Sequence, residues 1–298
     1  MKYRAPDAAA PGDTRASALR RLTGLLAEAG IESPGFEART LLCAASGCDH
    51  AGLIRDPGRL LGSDEAARLE DFAARRLDGE PSTRIIGARA FWTLDLQVTP
   101  DVLDPRPDSE CLIEAALQQL ADRRHAPLRI LDLGVGSGAL LLALLSECPN
   151  ATGVGVDASP AACEIARANA RANDLDARTE IRLGNWAEGL AERFDVVLSN
   201  PPYIPSGDIA GLDRAVRNFD PALALDGGDD GLESYRQIIA VLPGLLADGV
   251  AVLELGVDQA LDVGALAAAH GLEVVELRKD LGGVDRAMVI RRGLHTTA

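Results

Sequence analysis

One stretch limits the possible folds more than any other: Arg129-Ile-Leu-Asp-Leu-Gly134-Val-Gly136-Ser-Gly138, an apolar strand running into alternating glycines and then into the helical stretch Ala139 to Glu147. Glycine adopts backbone conformations that a Cβ forbids, so this turn lets main chain approach a ligand closely, and the helix start adds free N–H groups. The spacing is GxGxG, not the GxGxxG of dinucleotide enzymes. A second strand, Thr152-Gly-Val-Gly-Val156, ends on Asp157, 19 residues after Gly138. Near that offset an acidic side chain accepts hydrogen bonds from ribose hydroxyls, although an acid before a helix start would also be favoured there. Ser159-Pro160 opens a helix to about Ala172. Strands then alternate with helices, with further strands expected near Thr179 to Leu183, Phe194 to Ser199, Val250 to Leu255, Leu272 to Arg278 and Arg286 to Arg291. The pattern is that of a parallel sheet covered on both faces.

A second motif follows the strand Phe194 to Ser199: Asn200-Pro201-Pro202-Tyr203. The Asn carbonyl and a backbone carbonyl without strand partners can each accept one hydrogen of a planar NH2 group. Two such acceptors on one side turn the nitrogen lone pair towards an electrophile on the other. Tyr203 would stack on the flat amide or base. A proline pair also simply stops a strand, because it cannot donate to the ladder. Gly134, Asp157 and Asn200 all fall at expected strand ends, the rim where ligands of such sheets bind.

The region before these motifs reads as a small helical domain. Helices are expected over Ala16 to Ala29, Pro34 to Ala45 with Ser33 as the start signal, and Asp64 to Leu77 capped by Ser63. Met1 to Thr14, rich in Ala and Pro, reads as a disordered tail without the apolar stretch of a signal region. Phe91 to Val98 alternates as a short hairpin would. The expected division is therefore a tail over 1–14, helices over 15–80, a linker with a hairpin over 81–104, and the catalytic domain over 105–298.

Composition restricts the partners. Of the net charge of −15, residues 1–90 contribute nothing, with 13 Arg or Lys against 13 Asp or Glu, whereas residues 91–298 carry 17 against 32. Nucleic-acid-binding domains present basic patches, so an acidic catalytic region argues against a DNA or RNA partner. The longest apolar run, Ala139 to Leu145, is far too short to span a membrane. Five cysteines, at 43, 48, 111, 148 and 163, show no metal-type spacing and read as reduced, mostly buried side chains; no metal is expected.

Taken in order, the glycine turn, the acidic strand end and the Asn-Pro-Pro-Tyr motif make the chain resemble the class I S-adenosylmethionine-dependent methyltransferases of amino groups. More closely it resembles the release factor glutamine methyltransferases, of the PrmC/HemK type. The likeness runs from about Pro81 to Arg291 and also rests on Ile85-Ile86-Gly87 with Phe91-Trp92, on Pro105-Arg106-Pro107-Asp108-Ser109-Glu110, and on Phe219 to Gly228. The proline-arginine stretch separates it from the glutamine methyltransferases of a ribosomal protein. The resemblance implies an α/β fold, Rossmann-like with a mostly parallel seven-stranded sheet, behind a small N-terminal helical domain expected to hold a protein substrate, the alternative being that it only packs against the larger domain for stability.

It also implies S-adenosyl-L-methionine as cofactor, contacted by Gly134, Val135, Gly136, Ser137, Gly138, Asp157, Trp186 and Asn200. Asn200, Pro201, Pro202 and Tyr203 would form the catalytic substrate pocket. Arg106 and Glu110 would either order the substrate entrance or form a structural ion pair. The implied partner is a peptide chain release factor, methylated on the glutamine of its Gly-Gly-Gln tripeptide by a cytoplasmic monomer. Alternatives are a ribosomal-protein glutamine methyltransferase, an adenine-specific DNA or RNA methyltransferase, and a non-catalytic cofactor-binding protein. The chain departs from the family pattern at Arg84, Asp104, Val135 and Ser137. The stretch Ile204 to Asp226, without clear periodicity, reads as a loop that orders over the bound substrate.

Overall fold

The computed structural model describes residues 8–293. Its contacts divide into two units, one ending at Gly87 and the other starting at Ala88.

The first unit is helical: α1 (Arg15–Glu28), α2 (Pro34–Ser46), α3 (His50–Arg55), α4 (Ser63–Leu77) and α5 (Ser82–Ile86). Leu22 and Leu26 of α1, Leu41 and Leu42 of α2 and Leu69 of α4 lie fully buried in one cluster. This is how amphipathic helices individually too short to persist in water become stable. Two caps differ from expectation. Ser33 takes a left-handed conformation (φ 51°) and makes no side-chain cap bond, so Pro34, with its pre-set φ, marks the start of α2. At α4 the N-cap is Gly62, whose N–H donates to the Glu65 carboxylate at 2.9 Å, and Ser63 is already inside the first turn.

The expected disordered tail needs correction. Residues 1–7 lie outside the described residues, but Ala8 and Ala9 are buried in the helical cluster. The Ala9 N–H donates to Glu70 Oε1 at 2.8 Å, and the Leu61 N–H donates to the Asp13 carbonyl at 2.8 Å. Small alanines fit against the helices, and residues 59–61 supply the backbone partners this segment needs.

The second unit opens with the hairpin β1 (Ala88–Phe91) and β2 (Leu94–Gln97). The hairpin belongs to this unit and is not a linker: Asn169 accepts from the Gln97 N–H at 2.7 Å and donates to the Gln97 carbonyl at 3.0 Å. A seven-stranded sheet follows, built of β3 (Arg129–Leu133), β4 (Thr152–Asp157), β5 (Thr179–Leu183), β6 (Phe194–Ser199), β7 (Leu246–Glu254), β8 (Leu272–Lys279) and β9 (Asp285–Arg292). Their order is β5-β4-β3-β6-β7-β9-β8; β9 alone runs against its neighbours. The helices are α6 (Glu110–Leu120), α7 (Ala139–Glu147), α8 (Pro160–Ala172), α9 (Arg214–Phe219), α10 (Glu233–Leu245) and α11 (Ala260–Ala269). The run Leu140 to Leu145 of α7 is wholly buried, as the uninterrupted apolar stretch requires. The expected strand over Val250 to Leu255 starts earlier, at Leu246, because Gly249 lets β7 pass β6: a Cβ there would lie 1.9 Å from the Asp195 carbonyl oxygen.

The chain winds from β3 outward through β4 to β5, then returns to β6 on the other side of β3. That reversal opens a crevice at the carboxyl ends of β3 and β6. The stretch Ile204 to Asp226 is not featureless: it contains α9 and the 3-10 turns Ile209–Gly211 and Ala222–Ala224, and its ends meet in an Ile204–Asp226 bridge.

Candidate active site

A cavity of about 500 Å³ occupies this crevice, walled by Gly134, Val135, Gly136 and Ser137 after β3, Asp157 and Ser159 after β4, Trp186 after β5, and Asn200 and Pro202 after β6. Four strand ends thus contribute to one site.

At the glycine end the protein offers mostly backbone. Gly134 and Gly136 take φ of +77° and +53°, values that only glycine adopts freely. The Trp186 ring closes against this turn: a Cβ on Gly134 would stand 3.5 Å from it. The Gly136 N–H donates to Asp157 Oδ2 at 2.8 Å and the Ser159 N–H to Oδ1 at 2.9 Å. Asp157 therefore ties the turn after β3 to the start of α8, while each oxygen keeps a lone pair for a further donor. Ser159 caps α8, its hydroxyl accepting from the Ala162 N–H at 3.2 Å. Gly138 stands apart from the cavity wall. It is the N-cap of α7, and a Cβ there would meet Leu142 at 3.1 Å, so its part is close helix packing.

At the other end the site is made of side chains. Asn200 Nδ2 donates to Ser109 Oγ at 3.3 Å, and the Ser109 hydroxyl donates to Glu254 Oε2 at 2.5 Å. Pro202 lines the cavity, whereas Pro201 is buried behind it. The Tyr203 hydroxyl reaches inward and donates to Glu254 Oε1 at 3.3 Å, and the Tyr203 carbonyl accepts from Gln259 at 3.0 Å. Burial pushes the Tyr203 phenol up, the Glu254 charge adding to it, so it stays protonated.

Arg106 and Glu110 do not pair with each other. Arg106 meets the buried Asp220 at 2.5 Å, and Asp220 also accepts from the Asp104 N–H at 3.3 Å. This pair anchors the base of the segment whose Pro221, Leu223 and Ala224 line the cavity. The side chain of Asp104, a departure from the family pattern, is buried with Arg89 3.9 Å away. Glu110 accepts from the Trp92 N–H at 2.9 Å, holding the tip of the β1–β2 hairpin, where Trp92 has φ 56°.

Among the residues of the site that carry no assignment from sequence are Asp132, Ser109 and Glu254. Asp132 lines the cavity; its Oδ2 accepts from the Leu141 N–H at 3.2 Å, while the buried Oδ1 has no hydrogen-bond partner. Burial pushes its carboxyl well above the usual range. A charged residue inside an apolar strand was a signal available in the sequence.

Known domains match both units: the PrmC N-terminal domain over residues 17–87 and the methyltransferase small domain over residues 109–217. The release factor glutamine methyltransferase of Rhodospirillum rubrum is 46% identical over 265 residues, covering 89% of this chain and 81% of that protein. That of Agrobacterium fabrum is 44% identical, covering 90% and 93%. The chain belongs to the release factor glutamine methyltransferase family. Among solved structures, the hMettl16 catalytic domain superposes with a TM-score of 0.54 at 16% identity, covering 81% of this chain and 86% of that one, a likeness of fold.

The cofactor of this family is S-adenosyl-L-methionine, and the residues present fit it. Its ammonium and sulfonium groups carry positive charge, and the cavity offers Asp132, with an unpartnered buried oxygen, and Asp157 at the strand end where ribose hydroxyls are bound. The volume lies in the range of small-molecule sites. Among the described residues no group of three or more His, Cys, Asp or Glu could hold a metal, and no helix is long and apolar enough to cross a membrane.

Proposed function

We propose that this chain methylates the side-chain amide nitrogen of a release factor glutamine, the one in the Gly-Gly-Gln tripeptide. The observation that carries this is the placement of Asn200 and Pro202 on the same cavity wall system as the Gly134 turn and Asp157, so that a substrate amide and a cofactor share one enclosed space.

When bound, S-adenosylmethionine supplies an electrophilic methyl group on a cationic sulfur. The chain's own work is to hold the acceptor nitrogen. Asn200 Oδ1 and the Pro201 carbonyl accept the two amide hydrogens, which draws the nitrogen away from planarity and exposes its lone pair. No general base is needed before transfer, because the alkylated nitrogen sheds its proton afterwards. Gly134 and Trp186 bracket the cofactor side, with Asp157 accepting from the ribose. The Arg106–Asp220 pair sets the rim, and Ile204 to Asp226 closes over the bound tripeptide; unchanged proteolysis of this stretch on addition of release factor would count against that closure. Glycines beside the target glutamine let the substrate backbone come close. The helical unit holds the body of the release factor, and the acidic balance of residues 91–298 disfavours a nucleic-acid substrate.

The test is methyl transfer from labelled S-adenosylmethionine to purified release factor, alongside a Gln-substituted tripeptide variant and a DNA duplex, followed by mass mapping. Label confined to the wild-type glutamine is the expected result. Label on the duplex, or none despite cofactor binding, would overturn the reading.

A further inference from the structure

An asparagine amide can sit in two orientations that exchange its oxygen and nitrogen with little change of shape, and only its hydrogen-bond partners choose between them. The proposed chemistry needs the oxygen of Asn200 towards the substrate. If the NH2 group faced the cavity instead, it would repel the substrate NH2.

Ser109 does not by itself make the choice, since a hydroxyl both donates and accepts. The choice is made one step further back. Glu254 is buried at the end of β7, and its Oε2 accepts a hydrogen bond from the Ser109 hydroxyl at 2.5 Å while Oε1 accepts one from the Tyr203 hydroxyl at 3.3 Å. An ionised carboxylate only accepts. With its proton committed to Glu254, Ser109 Oγ has only lone pairs left for Asn200, which must then present Nδ2 inward and Oδ1 outward. From this directional chain we infer that Glu254 is a positioning residue: acting through Ser109, it fixes the carbonyl of Asn200 towards the substrate glutamine. The inference rests on the methyl-transfer reading above.

The arrangement has a proton-dependent consequence. Burial pushes the Glu254 carboxyl up to about 7, against the pull of the Ser109 hydroxyl, the Arg286 guanidinium and the Tyr203 hydroxyl, with Asp108 adding a small push. The other groups around it are Cys111 on α6, whose thiol burial holds up at about 12, Tyr235 on α10, whose hydroxyl donates to the Glu254 backbone carbonyl at 2.8 Å, and Asp280, paired with Arg286 at 3.2 Å. A protonated Glu254 can itself donate to Ser109, which frees the Ser109 proton for Asn200 Oδ1 and removes the preference. Activity should therefore fall as pH drops through about 7.

The test combines kinetics with a readout from the protein alone. Glu254→Gln, which can offer Ser109 either an oxygen or an NH2, should lower kcat about tenfold, the scale of one hydrogen bond's preference. KM for S-adenosylmethionine should stay unchanged, and the acidic limb near pH 7 should disappear. Ser109→Ala should lower kcat similarly, and the double variant should be no worse than Ser109→Ala alone, because the two act in series. Independently of turnover, the Asn200 side-chain amide signals in a 15N correlation spectrum should shift with an inflection near pH 7 in the unsubstituted chain and not in Glu254→Gln. An unchanged acidic limb in Glu254→Gln, additive losses in the double variant, or an Asn200 signal indifferent to both pH and substitution would each overturn the inference. If the spectrum behaves as expected while no methyl transfer to release factor occurs, the positioning chain stands and the functional reading fails.

Discussion

The two ends of the cavity are built on opposite plans. At the glycine end most parts come from the single stretch Asp132 to Ser159, joined by Ala162, Asn185 and the Trp186 ring, and the turn itself offers the cavity largely backbone. At the asparagine end the parts come from Ser109, from Asn200 and Tyr203 of one motif, and from Glu254, on three separate segments, and the side-chain amide that lines the cavity is held by the Ser109 hydroxyl, itself bonded to a carboxylate. Backbone amides are positioned by the strand and helix they join and resist substitution of their neighbours. A relay of side chains is only as directional as its weakest member, but it can respond to a proton.

If this division is right, substitutions at the two ends should separate binding from transfer. The largest effect is expected for Asn200→Ala: a loss of about 10²–10³ in kcat, with cofactor affinity measured by calorimetry changed less than about threefold. Full activity would remove the asparagine end from the chemistry. Next, Asp157→Ala strips the partner from the Gly136 and Ser159 N–H groups together and should weaken cofactor binding by about 10- to 100-fold. Near-normal kcat at saturating cofactor should accompany it, and a selective loss of kcat would blur the division.

A third effect lies in stability. The folded Glu254 carboxyl, at about 7 against an ordinary 4.5, binds its proton more tightly than the unfolded chain does. Its contribution to stability therefore falls as pH rises across that window, at most by about 1.4 kcal/mol per pH unit. Asp132 acts in the same direction in both chains and cancels in the comparison. Thermal melts of the cofactor-free protein should show Glu254→Gln gaining on the unsubstituted chain between about pH 4.5 and 7, and parallel curves would place the proton elsewhere. The smallest effect is Ser159→Ala, which removes the α8 cap and should cost about 1 kcal/mol in denaturant unfolding, with little change in transfer.

Much of the fold can be read from the chain because its signals are local. The β5 and β6 strands occupy the stretches that their apolar residues mark, and Ser159-Pro160 starts a helix as cap and proline dictate. Where local signals misled, a distant segment had intervened. Ala8 to Thr14 looks like a solvated tail until residues 59–61 and Glu70 supply partners. Ser33 and Ser63 look like caps, yet backbone conformation at one and the Glu65 carboxylate at the other decide those starts. Arg106 and Glu110, adjacent in one motif, part company because their partners, Asp220 and Trp92, belong to different elements.

The sequence by itself determined the α/β class, the glycine turn, the acidic strand end and the Asn-Pro-Pro-Tyr motif at a strand end, since each depends on residues a few positions apart. Only the tertiary structure decided what stands behind Asn200, whose Nδ2 donates to Ser109 as Ser109 donates to Glu254. Glu254 sits 54 residues beyond Asn200, and Ser109 lies 91 before it. No periodicity links such positions, because a hydrogen-bond relay is defined by which strand ends the sheet brings together and which groups burial then obliges to pair.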